Sequence, residues 1–392
     1  MKALQVKRSA AKFGLARIAS AVAPATAARI GPLEYASVDE PELPGEGWVR
    51  LRPRLSGICG SDLALLEGKA STYFDPIVSF PFTPGHEVVA DVLDGELAGR
   101  RAIVIPILTC VVRGIDPICD QCRHGRPHLC ERTAFGHLAP GLQCGFCEDT
   151  GGGWGTEMVA HQRQLVEVPD DFSDEQAVLV EPMACAVHAV GDSAKSETII
   201  IGAGTLGLLT LAAIAHTYDA ADPHPIVVAA RYPHQQAAAK TIAAMAEIDH
   251  LTLTTPPKLV GTARRLLPNS YMVGDQVSRG FRRVIDCVGS ADSITQAMQV
   301  VAPGGEILLV GMPGQVSVDL TSVWHREVSL RGRYAYRPGD FETAIEIIRR
   351  FDLGQLVSAT YPLEQHVDAI AHAASAGRRG AVKIAFDLRG TP

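Results

Sequence analysis

Residues 199–209, IIIGAGTLGLL, decide the fold. Three isoleucines form a short β-branched run. The glycines then stand as Gly202-x-Gly204-x2-Gly207, and an apolar stretch continues through Ala215. The run 198–215 carries no charge and has the length of a membrane span. Glycines in this pattern indicate instead a buried strand, a tight turn and a helix. Gly202 permits the turn, Gly204 lets backbone approach a pyrophosphate, and Gly207 allows the helix to lie close on the strand. The free N–H groups of the helix start then face the phosphates. The expected dinucleotide contacts are Gly202, Ala203, Gly204, Thr205, Leu206 and Gly207, with Cys287 and Val288 at the end of a later strand.

Outward from this turn, ETIIIGAG, PIVVAAR, RRVIDCVG and GEILLVGMPG are short apolar strands ending in small residues, several separated by helical stretches. That alternation predicts an α/β, doubly wound parallel sheet. EVSLRGRYA reads as its last strand, PGDFETAIEIIRRF as a capped amphipathic helix, and GAVKIAFDL as a terminal strand returning to the first domain. Residues before about 180 are rich in Gly, Pro and short apolar runs, the texture of an irregular β-rich domain. The N-terminal residues are basic and Ser/Ala-rich, with no acid before Glu34. This composition is that of a transit peptide, but MKALQV alternates like a first strand and FGLARIASAVA can form a short helix, so the segment reads as part of the fold.

The chain has 392 residues, enough for two domains, with a formal net charge of -7 and no long basic run. Neither nucleic acid nor an anionic membrane is an expected partner. Nine cysteines, an odd number in a chain this long, fit a reducing compartment and metal binding better than disulfide staples.

Two constellations carry chemistry. GICGSD (57–62) and PGHEVVADV (84–92) supply Cys59, His86 and Glu87, the donor set of an open zinc site. LVEPMACAVHAV places Glu181 among apolar residues, where a carboxylate needs a partner; a metal, or a helix N-terminus, would provide one. The second constellation, CVVRGIDPICDQCRHGRPHLC (110–130), holds Cys110, Cys119, Cys122 and Cys130. Two cysteines separated by two residues can point both sulfurs at one ion.

The joint order of Cys-Gly-Ser-Asp, Gly-His-Glu, a cysteine cluster, Glu-Pro, Gly-x-Gly-x2-Gly, DCVG and APGGEILLVG resembles the zinc-dependent medium-chain dehydrogenases: the alcohol, sorbitol, threonine and glucose dehydrogenase relatives. The resemblance spans nearly the whole chain. It implies a GroES-like catalytic domain (1–185 and 334–392) interrupted by a Rossmann domain (186–333). Zinc and nicotinamide then meet in the cleft of a cytoplasmic homodimer or homotetramer that acts on a small alcohol or carbonyl.

By the same resemblance Cys59, His86, Glu87 and Glu181 hold the catalytic zinc, Glu181 directly or through water. Asp62 orients the ligand histidine, and Ser61 passes the alcohol proton. Many relatives carry a histidine where this chain has Ala64. The cysteine cluster matches a closed structural zinc site whose first position falls on Asp116 by strict spacing. Cys110, with a six-residue insertion, is preferred because four thiolates make the stronger site; Cys144-x2-Cys147 is a third candidate. Tyr73, Phe74 and Trp154 are candidate walls of a substrate pocket. A zinc-independent quinone or enone reductase on the same fold is the competing expectation.

In NAD-preferring Rossmann domains the second strand ends in an acid that accepts the ribose hydroxyls. Here PIVVAARYPHQ offers Ala230 and then Arg231, and no Asp or Glu lies between Asp222 and Glu247. A guanidinium there suits a 2′-phosphate, so NADP is expected over NAD, with Tyr232 or His234 flanking the adenine.

Overall fold

The computed structural model describes residues 1–22, 24–191, 196–312 and 314–390. It divides into two compact units, Met1–Glu181 with Arg337–Pro392, and Pro182–Tyr336.

The first unit is built on a seven-stranded mixed sheet. Its central strand β3 (Trp48–Gly57) alternates along RLRPRL, with Leu51, Pro53 and Leu55 buried and the arginines between them more exposed. This is the period-2 pattern of a strand with one packed face. β3 pairs antiparallel with β4 (Val88–Val92), and the register shifts between Pro53 and Leu55, next to the residue that lacks a donor. β4 pairs with β5 (Arg101–Val104). On the other side of β3 lies the strand Lys383–Asp387, with Ala385 opposite Gly57. The chain's late residues therefore complete a sheet begun by its early ones.

A separate two-stranded ribbon joins β1 (Lys2–Val6) to β2 (Leu33–Ser37). Between them stand two helices, α1 (Ala10–Val22) and α2 (Pro24–Ile30). The N-terminal segment is thus folded, as its alternation indicates. After β3 comes α3 (Gly60–Leu66). Two apolar clusters serve this unit, one around Val49, Leu51, Val88 and Met158, the other around Leu4, Phe82, Trp154 and Phe386.

The second unit is a six-stranded parallel sheet. The strand order is Leu251–Thr254, Ile226–Ala229, Thr198–Ile201, Phe281–Asp286, Val301–Leu309 and Ser329–Gly332. The order reverses beside Thr198–Ile201, the place where open α/β sheets bind ligands. The helix Thr205–His216 is buried on every side from Gly207 to Ala215, which explains its membrane-like composition. Among the described residues no helix is long and apolar enough to cross a membrane.

Candidate active site

At one end of the first sheet, β3 stops at Gly57 and β4 starts just after Glu87. The Gly57 N–H donates to the Glu87 carbonyl at 2.8 Å, and the Ile58 N–H to that of Ile384 at 2.9 Å. Three strand ends therefore converge. Gly85, at φ +98, makes the turn that presents His86 and Glu87; a Cβ there would lie 2.5 Å from Trp154 Cδ1. Cys59 caps α3, and its N–H donates to Asp62 Oδ2 at 2.9 Å.

The Cys59 sulfur, a His86 nitrogen and a Glu87 oxygen lie within 4.8 Å of one another. His86 and Glu87 are buried. His86 Nδ1 faces Asp62 Oδ1 at 3.5 Å, while Nε2 stands 3.5 Å from Ser61 Oγ. Burial alone would lower the His86 pKa. The Asp62 carboxylate and the neighbouring Cys59 outweigh that and raise it well above the usual imidazole range.

One residue here escaped the sequence reading. Lys383, 2% exposed, reaches under the donor set, donating to Glu87 Oε2 and, at 3.1 Å, to the Ile58 carbonyl. Burial would lower its pKa, but the charges of Glu87, Cys59 and Asp62 raise it. The pair crosses directly over Gly57, where a Cβ would lie 1.9 Å from Glu87 Oε2. Only glycine leaves room for that ion pair. The available signal was one lysine inside an otherwise apolar strand, VKIAF.

Glu181 lies in the first turn of the helix Val180–Val190, buried, and outside the group of mutually close donors. Trp154 is not an open pocket wall. It is fully buried against Phe386, with ring centroids 5.0 Å apart, and its indole N–H donates to the Gly57 carbonyl at 3.4 Å. Tyr73 is exposed and Phe74 half-buried beside it.

The second group is Cys110, Cys119, Cys122 and Cys130, again with all donor atoms within 4.8 Å. The Cys110–Cys130 sulfurs are 3.6 Å apart and Cys119–Cys130 4.0 Å. With Zn–S bonds of about 2.3 Å, a tetrahedron has edges of about 3.8 Å, so the spacing fits zinc. Burial pushes Cys130 up to about 11, and it raises Cys122 as well. Burial would raise Cys119 too, but surrounding N–H and thiol donors bring it down to about 7. Asp116 is exposed, and Cys144 and Cys147 are buried in the apolar cluster. The insertion after Cys110 carries Arg113, fully buried, whose guanidinium donates to the carbonyls of Leu108, Phe135, Leu138, Ala139 and Gly141.

In the second unit, Gly202 has φ +91, and a Cβ on Gly207 would lie 1.8 Å from the Gly202 carbonyl oxygen. A Cβ on Gly204 would meet nothing within 4 Å. The turn therefore offers an open backbone cradle at the start of the helix Thr205–His216, with Ala203 buried behind it and Thr205 and Leu206 in the first turn. Cys287 and Val288 follow the strand Phe281–Asp286. Asp286, wholly buried, accepts from the N–H groups of Val288 (2.9 Å) and Gly289 (3.2 Å) and from Ser293 Oγ (2.9 Å), fixing that turn. The next strand ends at Ala229; Ala230 is buried and Arg231 exposed. Tyr232 and His234 stack 5.9 Å apart.

Two family descriptions match the chain: the alcohol dehydrogenase GroES-like domain over residues 45–170 and the zinc-binding dehydrogenase domain over 206–350. The chain belongs to the zinc-dependent medium-chain dehydrogenases. It is 26% identical to L-idonate 5-dehydrogenase of Vitis vinifera, over 87% of this chain and 88% of that protein. It is equally 26% identical to D-xylulose reductase of Scheffersomyces stipitis, over 92% and 96%. Galactitol-1-phosphate dehydrogenase of Escherichia coli shares the fold, with a TM-score of 0.69 at 19% identity, over 99% of this chain and 100% of that one. The medium-chain dehydrogenase is thus an oxidoreductase of CH–OH groups, using NAD(P).

Proposed function

We propose that this dehydrogenase oxidises a polyol or sugar alcohol at Cys59, His86 and Glu87, with NADP as the preferred acceptor. The convergence of thiolate, imidazole and carboxylate at three strand ends carries the reading; a quinone or enone reductase has no use for that set. The relatives that act on idonate and xylulose support the polyol class. When bound, zinc polarises the substrate oxygen and the nicotinamide takes the hydride.

The chain's own residues do the rest. Cys59 and His86 would hold the metal, with Glu87 beside them; Asp62, facing Nδ1, would fix the histidine tautomer and leave Nε2 free as a donor. Lys383 neutralises Glu87, keeping the charge of the donor set low. Ser61 Oγ, next to His86 Nε2, takes the proton from the substrate hydroxyl; with Ala64 in place of a histidine, it hands that proton to the ribose or to water. Cys110, Cys119, Cys122 and Cys130 would hold a second, structural zinc. Glu181, at the start of the helix Val180–Val190, would reach the catalytic metal directly or through water.

The cofactor choice rests on Arg231. No carboxylate stands at the end of Ile226–Ala229 to accept ribose hydroxyls or repel a phosphate, and the exposed guanidinium can pair with a 2′-phosphate. Charge-assisted contacts of about 1.5–3 kcal/mol correspond to a preference of roughly ten- to a hundredfold. The test compares kcat/KM for both cofactors, with xylitol or sorbitol as substrate, in wild type and Arg231→Ala. The variant should lose the NADP preference and keep NAD turnover. A wild-type enzyme that favours NAD, or equal weakening of both, would refute the assignment.

A further inference from the structure

The ribbon β1–β2 is in register from Lys2–Ser37 to Val6–Leu33. Such a hairpin closes with about two to five residues, yet α1 (Ala10–Val22) and α2 (Pro24–Ile30) stand between these two strands. The inserted α1 lies on the chain that follows α3. Its Phe13 carbonyl oxygen is 2.5 Å from where a Cβ on Gly68 would sit, and Gly68 has φ +64. Its Phe13 ring meets Phe80 edge-on, at 6.5 Å and 78°. So α1 touches the segment between α3 and β4 at both ends.

From Phe80 the rings continue without a break. Phe80 and Phe82 are 5.1 Å apart, Phe82 and Phe146 5.4 Å, and Phe146 and His86 5.7 Å. The file therefore ends on the imidazole of the donor set. Asp62 holds that ring chiefly by its charge: the 3.5 Å from Nδ1 to Asp62 Oδ1 is longer than an ordinary hydrogen bond. A pair that long leaves the ring's tilt to be shared with the ring contacts, which favour particular relative orientations.

We propose that Phe13, brought in by the inserted helix, is a positioning residue for the Cys59–His86–Glu87 site. It acts through the file Phe80–Phe82–Phe146 on the direction of His86 Nε2, and through Gly68 on the seat of α3. The proposal rests on the metal-site reading above. Residues that orient a metal ligand typically change metal affinity by about 10–100-fold when removed. Phe146→Ala, in direct contact with His86, should fall in that range. Phe13→Ala, three rings further out, should lose about three- to tenfold, and Phe13→Tyr should restore wild-type behaviour.

The measurements are zinc affinity by competition with a chelator and the ligand-field bands of the cobalt-substituted protein, with thermal stability in parallel. Ile18→Ala, on the exposed side of α1, is the control and should change neither. Shifted cobalt bands and weaker zinc in Phe13→Ala, rescued in Phe13→Tyr, support the proposal. A lower melting temperature with wild-type zinc affinity and bands would mean a merely structural role and overturn it. If Cys59→Ser removes no zinc from the protein, the site reading fails and takes the proposal with it.

Discussion

The cysteine lobe and the strand-end donor set gather their ligands in opposite ways. All four thiols of the lobe come from residues 110–130, and two of their sulfur separations, 3.6 and 4.0 Å, match the edges of a zinc tetrahedron. The strand-end set draws Cys59, His86 and Glu87 to one place because β3, β4 and Lys383–Asp387 end together, and Lys383 balances it from below. At the strand ends, sheet pairing brings together donors that are distant in the sequence. A closed site should therefore matter mainly for folding and an open one mainly for chemistry.

The strongest way to break this contrast is Cys59→Ser. We expect alcohol oxidation to drop to background while dinucleotide binding, followed by calorimetry, is unchanged, because the glycine turn lies in the other unit. Full turnover by a zinc-depleted Cys59→Ser protein would remove the metal from the mechanism. Next is Cys110→Ala. It should reduce zinc from two ions per chain to one and lower the unfolding temperature, since structural zinc returns about 10–16 kcal/mol to small zinc domains. Asp116→Ala should keep both ions; the reverse pattern would make Asp116 the first ligand.

Lys383→Met sharpens the comparison at the strand ends. It leaves Glu87 buried without a counter-charge, a change that costs about 3–5 kcal/mol in buried pairs. Adding Glu87→Gln should recover most of that loss in urea unfolding. A single variant as stable as wild type would show that Glu87 has another cation to lean on. The smallest effect is the NADP preference at Arg231, roughly one to two powers of ten.

Much of this was legible in the sequence because it rests on local rules. Gly202, Gly204 and Gly207 each have a distinct backbone task that no other residue performs, so the pattern identified the sheet and its turn. Cys59, His86 and Glu87 stood out because a thiol, an imidazole and a carboxylate next to glycines are uncommon in a β-rich texture. Lys383 was not legible, since strand alternation gives its face but not the carboxylate brought beside it by a distant strand. Trp154 was misread for a similar reason. It was read as a candidate pocket wall, whereas Gly152 and Gly153 lie close against Thr83, Pro84 and Ser56 and the indole is fully buried. The helical character of α1 could be read from its composition; its contact with Gly68 and Phe80 could not.

The Glu87–Lys383 pair also has a consequence in time. The two residues are 296 positions apart. At roughly 5–20 residues per second of synthesis, the carboxylate leaves the ribosome about 15–60 s before its ammonium partner. The four thiols of the lobe are complete by residue 130, early in the same interval. A nascent chain thus carries a finished closed site while the open one still lacks the charge that balances it. The order of translation separates the two donor clusters as clearly as their geometry does.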